Sequence, residues 1–175
     1  YKKMLQNVVS NINKNYISKP YNYEGYFKYS RQVDGQEKVK EATVTIYDAQ
    51  GYHREDVASA FKELNYKFNQ VRRNSEVTSV WDGLTYFDDI LTADIVRNTR
   101  NVLDIVNSRD YKLKSKGKLV YEGDSVQVIS YQATHPSIST TGDPAVQTYS
   151  GEIYVNLKDL AVLKNVVNLT SRDFN

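Results

Sequence analysis

The side chains able to do chemistry are few and scattered. Two histidines, His53 and His135, supply all the imidazole, and there is no cysteine. Without a thiol there is no disulfide framework, no cysteine nucleophile and no sulfur ligand for a metal. Both histidines fall in loop-like stretches without metal-ligand spacing, and neither adjoins a serine or aspartate in a nucleophile motif. A triad would have to be assembled in space, and a surface histidine is the simpler expectation. Asp82, Asp88, Asp89 and Asp94 form an acidic run around the central segment that could hold a hard cation or act as an acid/base pair. The alternating oxygen ligands and central glycine of a calcium loop are missing, and charge at a helix start accounts for these residues more simply. Gly83 and Gly117 are isolated, so no phosphate-cradling loop is present. The expectation is a chain with no catalytic, cofactor-binding or metal-binding residue, and therefore not an enzyme.

Recognition chemistry is better represented. Lys112, Lys114, Lys116 and Lys118 recur at every second residue, so on a regular strand they share one face. Four ammonium groups in a row could meet lipid headgroups or acidic glycans. They could equally serve to blunt a strand edge against pairing with another chain. The stretch "NYISKPYNYEGYFKYS", Asn15 to Ser30, holds five tyrosines and a phenylalanine, the material of either a stacking platform or a packed strand. With 23 basic and 21 acidic residues the net charge is +2, too near neutral for a nucleic-acid binder.

These groups need elements to hold them. Leu5, Val9, Ile12 and Tyr16 make one helical stripe over Tyr1 to Tyr16, with Met4 and Val8 beside it. Pro20 then enforces extended chain. Asp34-Gly35 is a type I′ hairpin signal between two alternating segments. Counting outward from it places Phe27 opposite Ala42, Tyr23 opposite Ile46 and Lys28 opposite Glu41. Tyr23 and Phe27 thereby belong to the core face. Tyr26 lies on the outer face and is the one aromatic of the run left for ligand or partner contact.

Arg54 to Arg73 is ambiguous, since Val57, Phe61, Leu64, Phe68 and Val71 suit a helix while Leu64, Tyr66 and Phe68 alternate like a strand. From Trp81 to Asn107 the pattern is helical, with Phe87, Leu91, Ile95, Thr99, Val102 and Val106 along one side. Thr92 or Asp94 would cap a second helix after a break. The last third reads as two hairpins, Tyr111–Tyr121 with Ser125–Ala133, and Thr148–Val155 with Leu160–Thr170. Between them runs "THPSISTTGDPAVQ", Thr134 to Gln147, with two of the three prolines. A connection of this length is mobile or functional, which makes His135 and Ser137 candidate ligand contacts. The order predicts a single α+β domain over residues 1–175, built on one large antiparallel sheet.

No apolar run approaches the roughly 20 residues that span a bilayer. The chain opens at Tyr1 without an initiator methionine or signal peptide, so it is expected to be a processed or excised part of something longer.

Several segments fall in a familiar order: "INKNYISKPYNYEGYFKYS", "EATVTIYD", "ADIVRNTRNVLDIVNSRDYKL", and the strands "YEGDSVQVISY" and "YSGEIYVN". Together they resemble the region that follows a carboxypeptidase-regulatory-like domain in cell-envelope proteins of Bacteroidetes. The resemblance implies export to the periplasm or outer-membrane surface and an adjacent domain on the same chain. It implies no peptidase and supplies no catalytic residue. It also implies a strand at Leu64 to Arg72, and a curved antiparallel half-barrel, like that of periplasmic lipoprotein carriers, packed with the N-terminal and central helices. The function to expect is a non-enzymatic envelope module that binds an envelope protein, a glycan or a lipid. The alternative is a carrier of a lipid or lipoprotein acyl chain in a half-barrel cavity. Neither requires a cofactor.

Overall fold

The computed structural model describes residues 1–55, 64–74, 87–104 and 107–172. The N-terminal helix divides in two, α1 (Lys2–Ser10) and α2 (Ile12–Asn15). The break is at Asn11, whose backbone N–H is shared between the carbonyls of Asn7 and Val8 while its side chain also donates to Asn7. Leu5, Val8 and Ile12 are buried and Val9 half-buried, so the stripe is turned slightly from the expected one. Such short helices are marginal alone and depend on that packing.

β1 (Tyr21–Val33) and β2 (Gln36–Asp48) form the hairpin in the expected register: Phe27 pairs with Ala42, Lys28 with Glu41 and Tyr23 with Ile46. Asp34 and Gly35 both have positive φ, 51° and 77°, as a type I′ turn requires. Phe27, Ala42, Val44 and Ile46 are buried, but Tyr23 is 51% exposed and is not a core residue. Gly25 explains why. With no side chain there, the Tyr23 ring lies over the ribbon, its hydroxyl 2.7 Å from where a Gly25 Cβ would sit.

β3 (Leu64–Arg73) pairs antiparallel with β2, so this stretch is strand, as the resemblance implies. Gln70, at φ 50°, is an extra residue between the pairs Glu41–Arg72 and Thr43–Asn69. Gln70 and Val71 together stand opposite Ala42, and Val71 is exposed. The remaining strands are β4 (Tyr111–Tyr121), β5 (Asp124–Ala133), β6 (Val146–Asn156) and β7 (Val162–Ser171).

The expected single sheet is in fact two. One has the order β1-β2-β3 and the other β4-β5-β6-β7, each strand pairing with its sequence neighbour. Hairpin signals fix neighbours within a meander but say nothing about joining one meander to the next. Among the described residues no ladder joins them. The architecture is α+β and mostly antiparallel strand.

The central segment departs most from expectation. Only α3 (Phe87–Thr92) is helical there among the described residues, and turns follow it. Asp94 Oδ1 accepts the backbone N–H groups of Val96 and Arg97, and Asn101 Oδ1 accepts that of Leu103. Asn101 Nδ2 donates to the carbonyls of Ile95 and Asn98. Side chains have taken backbone partners that a helix would have used. Asp94 thus accepts backbone N–H groups, but those of turns, and the second helix it was expected to cap is not there. Val57, Phe61, Trp81, Asp82 and Val106 lie outside the described residues.

Two cores result. Phe87 and Leu91 of α3 pack with Phe27, Val44, Ile46, Tyr66 and Phe68 on the first sheet, their rings meeting edge to face. Leu5, Val8 and Ile12 pack with Ile95, Val102 and Leu103 against Ile129, Tyr131, Ile153 and Val155 of the second. No helix among the described residues is long and apolar enough to cross a membrane.

Candidate functional site

The two cores meet along a belt of polar contacts that the segment after β2 provides. Asp48 closes that strand and is fully buried. Its Oδ1 accepts the N–H groups of Gln50 and Gly51, both at 3.0 Å, making a tight turn. Gly51 has φ 81°, and a Cβ there would lie 2.5–2.8 Å from the Ser18 and Lys19 backbone. Only glycine lets this turn rest on the chain leaving α2. Tyr52 N–H then donates to the Ile17 carbonyl at 2.7 Å.

From the far side comes Arg97, 3% exposed. Its Nη1 donates to Asp48 Oδ2 at 2.6 Å and its Nε to Glu55 Oε1 at 2.8 Å. Its Nη2 is also 2.8 Å from Glu55 Oε1, an ion-pair contact, but is not aimed for a hydrogen bond to any acceptor among the described residues. Burial works against the guanidinium charge. The hydrogen bonds and charges of Asp48 and Glu55 outweigh it, so the Arg97 pKa is raised. Backbone bonds from Glu55 to Arg97 and from Thr99 to Glu55, with Arg54 donating to Asp104 at 2.6 Å, complete the tie between the two segments.

Tyr52 carries the belt to the surface. Its hydroxyl lies 2.8 and 2.7 Å from the two oxygens of Asp94, and its ring stacks on Tyr16 at 4.7 Å. Burial first, and Asp94 next, push its pKa well up. Tyr21, beside Asp48, is pushed up to about 12, again mainly by burial. These phenols stay neutral, while the carboxylates of Asp48, Glu55 and Asp94 are all engaged. The belt is a clamp.

Above the clamp lies a cleft of about 610 Å³ between the first sheet, α3 and strand β7. Tyr23 and Ile46 come from the first sheet, Ile90 and Leu91 from α3, and Leu163 and Val167 from β7, with Tyr16 and Tyr52 also lining it. Its volume is that of a small-molecule site, about 300–1,000 Å³. Tyr23 and Ile90 are each 51% exposed, a position apolar side chains do not need for folding. The cleft can hold an apolar molecule; the charged groups that also line it are Arg97, paired with Asp48 and Glu55, Asp94, which accepts from the Tyr52 hydroxyl, and Lys164, whose ammonium lies over the Tyr121 and Tyr154 rings.

The candidates from sequence lie elsewhere. His135 and Ser137 come together, in a second cleft of about 320 Å³ with Arg100, Asp110, Ser139 and Thr140. Their loop is ordered by α4 (Ile138–Thr141) and ends in Gly142 at φ 76°. Tyr26 is 67% exposed on the outer face of β1, hydrogen-bonded to Glu41, with no other candidate beside it. The lysine row is broken. Lys112 and Lys114 pair with Gln132 and Ser130, but a bulge at Ser115–Gly117 shifts the register so that Lys118 pairs with Gln127, on the opposite face. Lys116, the extra residue, lies 3.8 Å from Glu152 at an exposed site. The four therefore do not share one face. His53 donates from Nδ1 to the Gly51 carbonyl at 2.7 Å and sits 3.9 Å from Glu55. Among the described residues no three His, Asp or Glu side chains are grouped to hold a metal ion.

The clamp did carry one signal in the sequence. Ala42, Val44, Ile46 and Asp48 share a strand face, and a carboxylate on an apolar face must find a buried partner. Nothing in the sequence said that the partner is Arg97.

The fold and cleft define a class, an α+β protein of two antiparallel meanders with an aromatic cleft between them. No family model matches the chain, and no curated protein does. Among solved structures it is similar to a DUF1329 family protein from Desulfovibrio piger ATCC 29098, with 10% identity, 97% of this chain and 73% of that chain covered, and a TM-score of 0.29. An overlap of that quality decides nothing about fold or function.

Proposed function

We propose that the chain is a non-enzymatic binding module of the bacterial cell envelope whose ligand is an acyl chain or similar apolar molecule held in the cleft between the sheets. The observation that carries this is the cleft itself, walled by Tyr23, Ile90 and Leu163 and backed by a clamp in which Arg97 is paired with Asp48 and Glu55. In this reading the meanders act as walls of an open half-barrel, comparable to a lipoprotein carrier. The face of β5 and β6 under α1 is filled by Leu5, Val8 and Ile12, so the ligand takes the space between the sheets. The resemblance to the region after a carboxypeptidase-regulatory-like domain supports export to the periplasm or outer-membrane surface.

The test is native purification followed by lipid extraction and mass spectrometry, with displacement of a fluorescent fatty acid as the second readout. Saturable uptake should be lost in Ile90→Glu and Leu163→Glu, which place a carboxylate at partly exposed positions of the cleft wall. No co-purifying lipid and no saturable uptake by the wild type would overturn the reading.

A further inference from the structure

Four strands lie at the outer edges of the two sheets, β1 and β3 in the first and β4 and β7 in the second. Such a strand carries a row of unpaired backbone groups, which proteins commonly blunt with bulges and lysines. β3 has its extra residue at Gln70, and β4 has one at Lys116 within a run of lysines. β7 has one at Leu163, between the pairs Tyr154–Lys164 and Val155–Val162. β1 has none. Its 13 residues pair with β2 without a break, from Tyr21–Asp48 to Val33–Gln36. The two-residue turn makes Val33–Gln36 a hydrogen-bonded pair, so by alternation the odd-numbered residues of β1 bond to β2. The N–H and C=O groups of Asn22, Glu24, Tyr26, Lys28 and Ser30 therefore point away from β2, and among the described residues no ladder meets them.

The side chains along that edge complement themselves. Glu24, Tyr26 and Lys28 share the outer face and are all exposed. Among the described residues neither Glu24 nor Lys28 forms an ion pair within the chain. A second β1 laid antiparallel along the first, with a two-fold axis at Tyr26, sets Glu24 of each copy opposite Lys28 of the other. It also sets Tyr26 opposite Tyr26 and Asn22 opposite Ser30. All of these are residues whose backbone groups point outward, so the ladder closes with bonded pairs. On the inner face Gly25 comes beside Phe27 of the second copy, a small residue against a large one. Moving the axis by one residue loses both ion pairs. An axis at Gly25 sets Glu24 against Tyr26 and Lys28 against Asn22, and one at Phe27 sets Lys28 against Tyr26 and Glu24 against Ser30.

We infer that β1 pairs with β1 of a second copy of this chain, joining two three-stranded sheets into one continuous sheet. The contact is isologous, as a two-fold dimer requires: Glu24 meets Lys28 and Lys28 meets Glu24. Opposite charges directly across a ladder stabilise it and like charges destabilise it. The two side chains that fix the register therefore also select against a strand of other sequence. The inference rests on the edge of β1 and not on the occupancy of the apolar cleft, so either can fail alone.

The experiment is sedimentation equilibrium of the full chain, which should show a dimer whose share grows with concentration up to about 1 mM. Glu24→Lys sets a lysine against Lys28, and Lys28→Glu sets a glutamate against Glu24. Each alone should raise the dissociation constant by about tenfold or more. A 1:1 mixture of the two variants opposes lysines to glutamates at both sites and should restore association, as should the double reversal in one chain. The register has its own test, because the chain contains no cysteine. Tyr26→Cys puts a single thiol at the axis, where bonded partners lie about 5.5 Å apart between Cα atoms, within disulfide reach. Under mild oxidation it should cross-link about tenfold faster than Tyr47→Cys, at an exposed position on β2. Ile90→Glu, in the apolar cleft, should leave the dimer unchanged while abolishing fatty-acid uptake. A monomer at every concentration overturns the inference. So does a dimer that survives both single reversals, a loss that mixing does not restore, or equal cross-linking rates for the two cysteine variants.

Discussion

Asp48→Asn separates the charge of the clamp from its hydrogen bonds. An asparagine Oδ1 can still accept from Gln50 and Gly51, so the turn after β2 survives. The change falls on Oδ2, which becomes an amide donor 2.6 Å from the donor Nη1 of Arg97. Two donors then face each other where water cannot enter, since Asp48 is 0% and Arg97 3% exposed. Removing one partner of a buried ion pair costs about 3–5 kcal/mol. Glu55 stays on the guanidinium, which sets the expectation near the lower end, about 3 kcal/mol. In a chain of this size each kcal/mol moves the midpoint by about 2–4 °C, so the melt should fall by roughly 6–12 °C. Glu55→Gln should cost less, about 1–2 kcal/mol, because Glu55 is 10% exposed and its replacement can be hydrated. Urea unfolding and thermal melts at pH 7, followed by circular dichroism, measure both. A cost for Asp48→Asn below about 1 kcal/mol, or below that of Glu55→Gln, refutes the argument that this pair fastens the cores together.

Phe27, 4% exposed and ringed by Phe68 and Phe87, should cost about 3–5 kcal/mol when cut to alanine, whereas Lys28→Ala on the outer face should cost under about 1 kcal/mol; comparable losses in urea unfolding would mean the hairpin faces are misassigned. Alkaline stability should follow the buried phenols. Tyr21 is held near 12, and Tyr52, Tyr111 and Tyr131 are likewise raised, chiefly by burial, while an unfolded tyrosine ionises near 10. Their contribution is therefore whole below pH 10 and is lost as pH rises from 10 to 12, where the unfolded chain ionises first. Melting temperature should drop across that window and part of the phenolate absorbance should appear only on unfolding; a flat melting curve there contradicts it.

The first hairpin was legible because two local rules agree. Asp34-Gly35 admits positive φ at both central positions, and a two-residue turn leaves one register that puts Phe27, Ala42, Val44 and Ile46 on the same side. Where an extra residue enters a strand, counting fails. The lysine row broke at Ser115–Gly117, and Arg72, which alternation from Phe68 would turn inward, pairs with the outward Glu41 for the same reason. A bulge inverts every later side chain, and alternation in the sequence carries no mark of where it will occur. Tyr23 failed differently. Its face was read correctly and its burial was not, because the space left by the missing Gly25 side chain lets the ring lie over the ribbon.

The larger cleft owes its existence to the segment that misled most. Phe87, Leu91, Ile95, Thr99 and Val102 keep helical spacing, and a continuous helix would have laid them along one core. Instead α3 ends at Thr92, and Asp94, Asn98 and Asn101 draw the following backbone into turns through their own side chains. Phe87 and Leu91 then serve the first core while Ile95, Val102 and Leu103 serve the second. A helix that divides its apolar positions between two sheets must stop between them. The chain crossing from one core to the other brings Asp94 to Tyr52 and Arg97 to Asp48, and Ile90 is left at the rim with no core to enter. The periodicity reported which residues are apolar. The short polar side chains among them decided that they would line an opening, because each Asn or Asp that takes a backbone partner removes one rung the helix needs.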